Sequence, residues 1–98
     1  MTQPIYKFWR MRPTEAWYQL SQEEKDSLMG KLSAVFDEVD AEDLVQCTSL
    51  WASEEWMYFG IHKYPDLEAL QKHYKSLQEL NWTRYMESET MIGSEGFS

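Results

Sequence analysis

Between Trp56 and Lys63 the chain reads WMYFGIHK, a run in which apolar and aromatic side chains stand at both odd and even positions. Alternate residues of a strand point to opposite faces, so Met57, Phe59, Ile61 and Lys63 share one side and Trp56, Tyr58, Gly60 and His62 the other. A strand with one wet face alternates with charges. This one does not, and it is expected inside a sheet with both faces covered. Gly60 leaves room beside the backbone for a close approach, a bulge, a ligand or an aromatic ring.

Pro65 cannot continue a strand interior, and Asp66 can accept from the first free amides of a helix opening near Leu67. At about 100° per residue, Leu67, Leu70, Tyr74, Leu77 and Leu80 fall on one arc, and His73 lies within it. Asn81 suits a left-handed stop.

A strand of this kind followed by YPDLEALQKH resembles the signature of the dimeric α/β-barrel superfamily, where an acidic-hydrophobic helix start leads to a helical histidine before the last strand. RPTEAWYQLSQEEK near the N-terminus is similar to a stretch of the darcynin-like small proteins. The superfamily resemblance implies a homodimer, and small monooxygenases and muconolactone isomerase-like proteins are among its members. It also implies that a histidine at the position of His73 lines a cavity. The heme-degrading branch would pair a first-strand Asn and a third-strand Trp with that histidine. Trp56 and His73 match two of these, but Ile5 to Arg12 contains no Asn, which speaks against heme oxygenation.

The remaining elements fall around this pair. Ile5 to Arg12 reads as a first strand, with Ile5, Lys7, Trp9 and Met11 on one face and Tyr6, Phe8, Arg10 and Arg12 on the other; Pro13 ends it. Thr14 is placed to cap a short turn carrying Trp17, Tyr18 and Leu20. Ser21 and Glu24 form a capping box before a helix whose stripe is Leu28, Met29, Leu32, Val35, Phe36 and Val39. Asp37 to Asp43 is a solvated acidic turn without calcium-loop spacing. Leu44 to Ala52 is a second strand, joined through Ser53, Glu54 and Glu55 to the third in a tight hairpin. Trp82 to Arg84 make a transition, Tyr85 to Ile92 a polar edge strand, and residues 93–98 a fraying tail. The order is βαββαβ, an α+β ferredoxin-like fold with a four-stranded antiparallel sheet, read as one domain over residues 1–98. Helices on one face leave the other bare, and a second copy about a two-fold axis is the economical cover.

Composition narrows the partners. A net charge of −8 and a pI near 4.6 are wrong for nucleic acid and for anionic membranes. Aromatic residues make up 15% of the chain, more than one small subunit readily encloses, which again favours self-association or a lined pocket. Cys47 is alone, so no internal disulfide forms and a cytoplasmic location is expected; no signal peptide or apolar span is evident.

Among residues able to do chemistry, His73 leads as acid or base on an apolar arc, against the alternative of a core histidine bonded to a carbonyl. Arg10, Tyr58, His62, Tyr74 and Trp9 are candidates for substrate binding, with Arg10, Arg12 and Lys7 able to meet a carboxylate or simply to pair with the abundant acids. His62 and His73 stand eleven residues apart with no accompanying ligand spacing, so no metal site is expected. No nucleophile elbow or phosphate-cradling loop is present. The resulting expectation is a homodimer binding a small hydrophobic or aromatic molecule, with cofactor-independent oxygenation or isomerisation if it is catalytic. The rival is a non-enzymatic dimerisation or regulatory module that binds a partner protein.

Overall fold

The computed structural model describes residues 3–52 and 55–96. Its elements are β1 (Ile5–Pro13), α1 (Glu15–Tyr18), α2 (Gln22–Glu38), β2 (Glu42–Thr48), β3 (Tyr58–Tyr64), α3 (Leu67–Glu79), α4 (Trp82–Tyr85) and β4 (Met86–Gly93). The strands form one antiparallel sheet in the order β2-β3-β1-β4, so β3 and β1 are interior and the polar β4 is an edge. This is the ferredoxin-like α+β arrangement. Register follows parity: Trp9 pairs with Gly60, Lys7 with His62 and Phe8 with Ile61.

Local signals act where they were expected. Ser21 Oγ accepts from Glu24 N at 3.1 Å while Glu24 Oε1 accepts from Ser21 N at 3.0 Å, closing the capping box that starts α2. Asp66 Oδ1 accepts from Ala69 N at 2.8 Å at the head of α3. Asn81 takes φ 56°, the left-handed conformation its short amide tolerates, and stops α3. Thr14 departs from its expected role. Its side chain makes no capping bond, and its hydroxyl donates instead to Arg84 O at 2.6 Å, tying the end of β1 to α4.

Several boundaries move. β2 ends at Thr48 and β3 begins at Tyr58, so the hairpin is joined by residues 49–57 and not by a tight three-residue link; Ser53 and Glu54 lie outside the described residues. Strand propensity alone ran Leu50, Trp51 and Ala52 into β2, but in the fold they make no ladder: Ala52 N bonds back to Ser49 O, and Leu50 and Trp51 stay exposed. Glu42 and Asp43 leave the acidic turn and begin β2, opposite Lys63 and His62 of β3. Trp82 to Tyr85 close one helical turn in place of an open transition, and β4 starts one residue later than expected. Of the tail, Gly93 ends β4 and Glu95 accepts a hydrogen bond from Tyr6, while residues 97–98 lie outside the described residues.

The helices cover the face of the sheet that bears Lys7, Trp9, Gly60, His62 and Tyr64. Val39, Tyr64 and Leu70 form a core with Ile5, Ala41, Ala69 and Tyr74 packed against it. Trp9 fills the space at Gly60: a Cβ there would meet Trp9 Cζ2 at 2.7 Å and Val45 O at 2.4 Å. Of the expected α2 stripe only Val39 is buried, and Met29 is exposed. On the helix side of the sheet the edge strand β2 carries Asp43, Gln46 and Thr48, all exposed, and Phe36 of α2 makes ring contacts with His62 and His73. A register shift at Leu44 turns Val45 and Cys47 to the opposite face, beside Ile61 and Phe59.

That opposite face carries Tyr6, Phe8, Val45, Phe59, Ile61 and Met91 and meets no other element among the described residues, so the double cover expected for β3 is half supplied within the chain. The extents are 46 × 30 × 17 Å, two layers thick. The radius of gyration is 14.3 Å, against about 12.6 Å for a compact chain of this length. No described helix is long and apolar enough to cross a membrane.

Candidate functional site

Alternation along β1 and β3 carries Lys7, Trp9, His62 and Tyr64 into the layer under the helices, and the apolar arc of α3 brings His73 down onto them. Phe36 of α2 caps the group, its ring centroid 4.7 Å from that of His62 and 5.7 Å from that of His73. At the centre, Tyr64 Oη and His73 Nδ1 are 2.7 Å apart and buried. The Tyr64 ring packs 5.6 Å from His73 and 6.3 Å from His62.

Electrostatics in this layer are dominated by lost water. Burial, reinforced by the positive charge of Lys7, lowers the pKa of His73 from 6.5 to about 4. His62 falls to about 4 for the same reasons, with a further contribution from His73. Both imidazoles are therefore neutral at physiological pH. Asp43 Oδ1 is 3.8 Å from His62 Nε2, too far for a hydrogen bond. Burial raises the Asp43 pKa. Burial also raises Tyr64 above the usual phenol range, with Tyr74 adding to it, so the hydroxyl keeps its proton.

With Tyr64 holding Nδ1, the His73 ring is oriented and Nε2 is left to exchange a proton. If Nδ1–H donates to Tyr64, Nε2 is a base; if Tyr64 donates, Nε2–H is an acid. The pair can thus serve proton transfer in either direction.

The structure brings together four of the sequence candidates and separates two. His73, His62, Tyr74 and Trp9 share the layer, with the Tyr74 hydroxyl donating to Thr90 Oγ1 at 3.3 Å. Tyr58 is on the same face but at the other end of β3, opposite Met11 and Thr48, roughly 13 Å along the strand from His62. Arg10 is on the opposite face. It binds Glu89 of β4 and stacks at 4.6 Å on Trp56, and Arg12 binds Glu87 at 2.7 Å and stacks on the same indole at 4.8 Å. Both arginines are thus paired with acids of β4 in this structure. Trp56 lies outside β3 and has crossed to that face, away from His73, where a heme-degrading arrangement would not put it.

Two participants, Tyr64 and Phe36, were not singled out from the sequence, and Lys7 was grouped there with Arg10 and Arg12 as able to meet a carboxylate. Lys7 separates from Arg10 and Arg12: it is 5% exposed, its Nζ 4.9 Å from the Tyr74 centroid and 5.7 Å from that of Tyr64. Desolvation lowers its pKa from 10.5 to about 8. The signal was an ammonium placed by parity among Ile5, Trp9 and Met11. Tyr64 was visible as the next residue in the series Tyr58, Gly60, His62, one position past the expected strand end. Phe36 sat in the α2 stripe, with nothing to distinguish it. Among the described residues no group of three or more His, Cys, Asp or Glu is arranged to hold a metal.

Two surface concavities lie elsewhere. One, of about 400 Å³, is on the helix-free face between Tyr6, Phe8, Ile61, Met91 and Glu95; the other lies between the ends of α2 and α3.

No family model matches the chain, and no curated protein matches it in sequence. Solved structures do match in fold. A protein of unknown function from Rhodopseudomonas palustris is 15% identical with a TM-score of 0.69, covering 100% of this chain and 86% of that one. SnoaB, a cofactor-independent oxygenase from Streptomyces nogalater, is 12% identical with a TM-score of 0.56, covering 98% and 96%. A dimeric protein of unknown function and ferredoxin-like fold from Bacteroides fragilis is 10% identical with a TM-score of 0.52, covering 97% and 100%. At these identities the likeness is one of architecture, and the chain has the α+β ferredoxin-like fold that these proteins share.

Proposed function

We propose that the chain is a single-domain homodimeric protein of the dimeric α/β-barrel type that binds a small hydrophobic or aromatic molecule between sheet and helices and acts on it by cofactor-independent proton transfer. The observation that carries this reading is the buried Tyr64–His73 hydrogen bond at 2.7 Å, with a histidine that burial keeps neutral. His73 takes or gives the proton, Tyr64 orients it, and Phe36, Trp9 and Tyr74 supply apolar walls. A carbanion or enolate formed this way is the species that reacts with oxygen or reprotonates elsewhere, which are the oxygenase and isomerase outcomes. The fold shared with a cofactor-independent oxygenase supports the class of chemistry. Entry calls for movement of α2, which buries none of its own residues fully.

Homodimerisation has separate support. The helix-free face exposes Phe59, Val45 and Met91, the last at 69%, and a dimeric protein shares the fold. The narrower likeness to darcynin-like proteins adds no residue to the site.

The test is a panel of phenols, enols and hydroxylated aromatics incubated with the protein without added metal or cofactor, with oxygen uptake and products followed. His73→Gln should lower kcat by roughly 10²- to 10⁴-fold without altering the dimer. Undiminished turnover in that variant removes His73 from the mechanism. The second reading, a non-enzymatic dimerisation or regulatory module, is favoured by one observation: neither surface concavity is lined by His73. Absence of turnover across the panel would support it.

A further inference from the structure

We infer that the layer under the helices takes the oxyanion of its ligand, a carboxylate or an enolate, between the Lys7 ammonium, the Trp9 indole N–H and His62. This rests on the reading of that layer as a small-molecule site and names what the molecule must carry. Three neighbouring polar groups there are short of partners. Lys7 is 5% exposed, and among the described residues no carboxylate stands within ion-pairing distance of it. The Trp9 Nε1–H and His62 Nδ1 are buried with no hydrogen-bond partner, in a tryptophan that is 3% exposed.

They are also close together. Lys7 and His62 are cross-strand partners, and the rings of Trp9 and His62 are 5.4 Å apart. A single buried orphan donor is uncommon because it forfeits hydration without return. Two such atoms beside a largely buried ammonium that has no ion pair describe a place where acceptors are missing. An oxyanion supplies both the lone pairs and the negative charge, making charge-assisted bonds to Lys7 and accepting from Trp9 and from the Nδ1–H tautomer of His62.

The charges facing Lys7 agree with this. From β3 come His62 and Tyr64 and from α3 His73 and Tyr74; the first three are held neutral by burial. From β2 comes Asp43, turned toward His62. The rings of Tyr64 and Tyr74 that Lys7 does contact give a cation weak compensation and leave its ion pair unmade.

The test is titration of the wild-type protein, Lys7→Met and His73→Gln with benzoate and with the matched neutral amide, benzamide, read by tryptophan fluorescence. Calorimetry in buffers of different ionisation enthalpy near pH 8, where Lys7 is about half protonated, reports proton exchange. Wild type should bind benzoate at least about tenfold more tightly than benzamide, with proton uptake on benzoate binding alone. Lys7→Met should keep its circular dichroism and lose both the preference and the uptake. His73→Gln should keep both, so a failed acid–base reading leaves the anion site standing, and a failed anion site leaves turnover to be judged separately. Equal binding of the two probes, no benzoate binding, or a preference that survives Lys7→Met would overturn the inference.

Discussion

The indole of Trp9 lies across Gly60, its cross-strand partner, so closely that a Cβ on residue 60 would sit 2.7 Å from Cζ2, and 2.4 Å from the Val45 carbonyl oxygen on the other side. The backbone of β2 and a ring buried in the centre of the sheet cannot both retreat. Gly60→Ala should therefore destabilise the protein by roughly 2–4 kcal/mol, a large value for one methyl group. Urea unfolding checks it: the midpoint should fall with the slope unchanged.

The two histidines make stability depend on mild acid. Their folded pKa values, about 4, lie below the 6.5 of the unfolded chain. Between those values the unfolded state binds more protons, so stability is complete above about pH 6.5 and is lost as pH falls toward 4. Each histidine contributes up to roughly 3 kcal/mol to that loss. Urea midpoints measured across this window should show a steep decline, shallower in His73→Gln; parallel curves for the variant and wild type would contradict the assignment.

Lys7 has the opposite bearing on stability at neutral pH. Its folded pKa, about 8 against 10.5 unfolded, means the buried ammonium penalises folding fully below pH 8, and the penalty disappears as pH rises through 10.5. Lys7→Met should stabilise the protein at pH 7, by up to roughly 3 kcal/mol, with the gain vanishing near pH 10.5. Because Lys7 also depresses both histidines, the same variant should raise their titration midpoints, readable by proton NMR.

On the helix-free face, Ile61 sits between Phe8 and Val45. In a lone subunit that surface meets water, and a carboxylate there costs little; across a two-fold contact it would be buried without a partner. Ile61→Glu should yield a folded monomer at micromolar concentration by sedimentation, where the wild type is expected to sediment as the proposed dimer. A wild-type monomer would remove the dimer from the proposal.

Alternation carried much of the site into view. Period alone set His62 and Trp9 each on one parity of its strand and His73 on the apolar arc of its helix; which sheet face meets the helices came from the structure, where the three share one layer. Arg10 and Trp56 were not separable in this way: Arg10 has the parity of the other face but the chemistry of a carboxylate binder, and Trp56 changed face because β3 begins two residues after it. Lys7 was grouped with Arg10 and Arg12 by charge when its parity set it apart. The hairpin length escaped because Leu50 and Trp51 have strand propensity without a strand opposite them. The half-exposed stripe of α2 escaped because periodicity shows which residues share a face and not how closely that face packs on its neighbours.

By itself the amino-acid sequence determined the order of elements, the capping of both long helices and the two faces of each central strand, since these follow from periodicity and from hydrogen bonds spanning a few residues. Tertiary structure alone decided that Tyr64 meets His73 and that the Lys7 ammonium, the Trp9 indole and His62 are left together without acceptors. Those relationships join positions far apart in the chain, and the free energy of a buried polar group depends on which partners the packed layer brings within bonding distance.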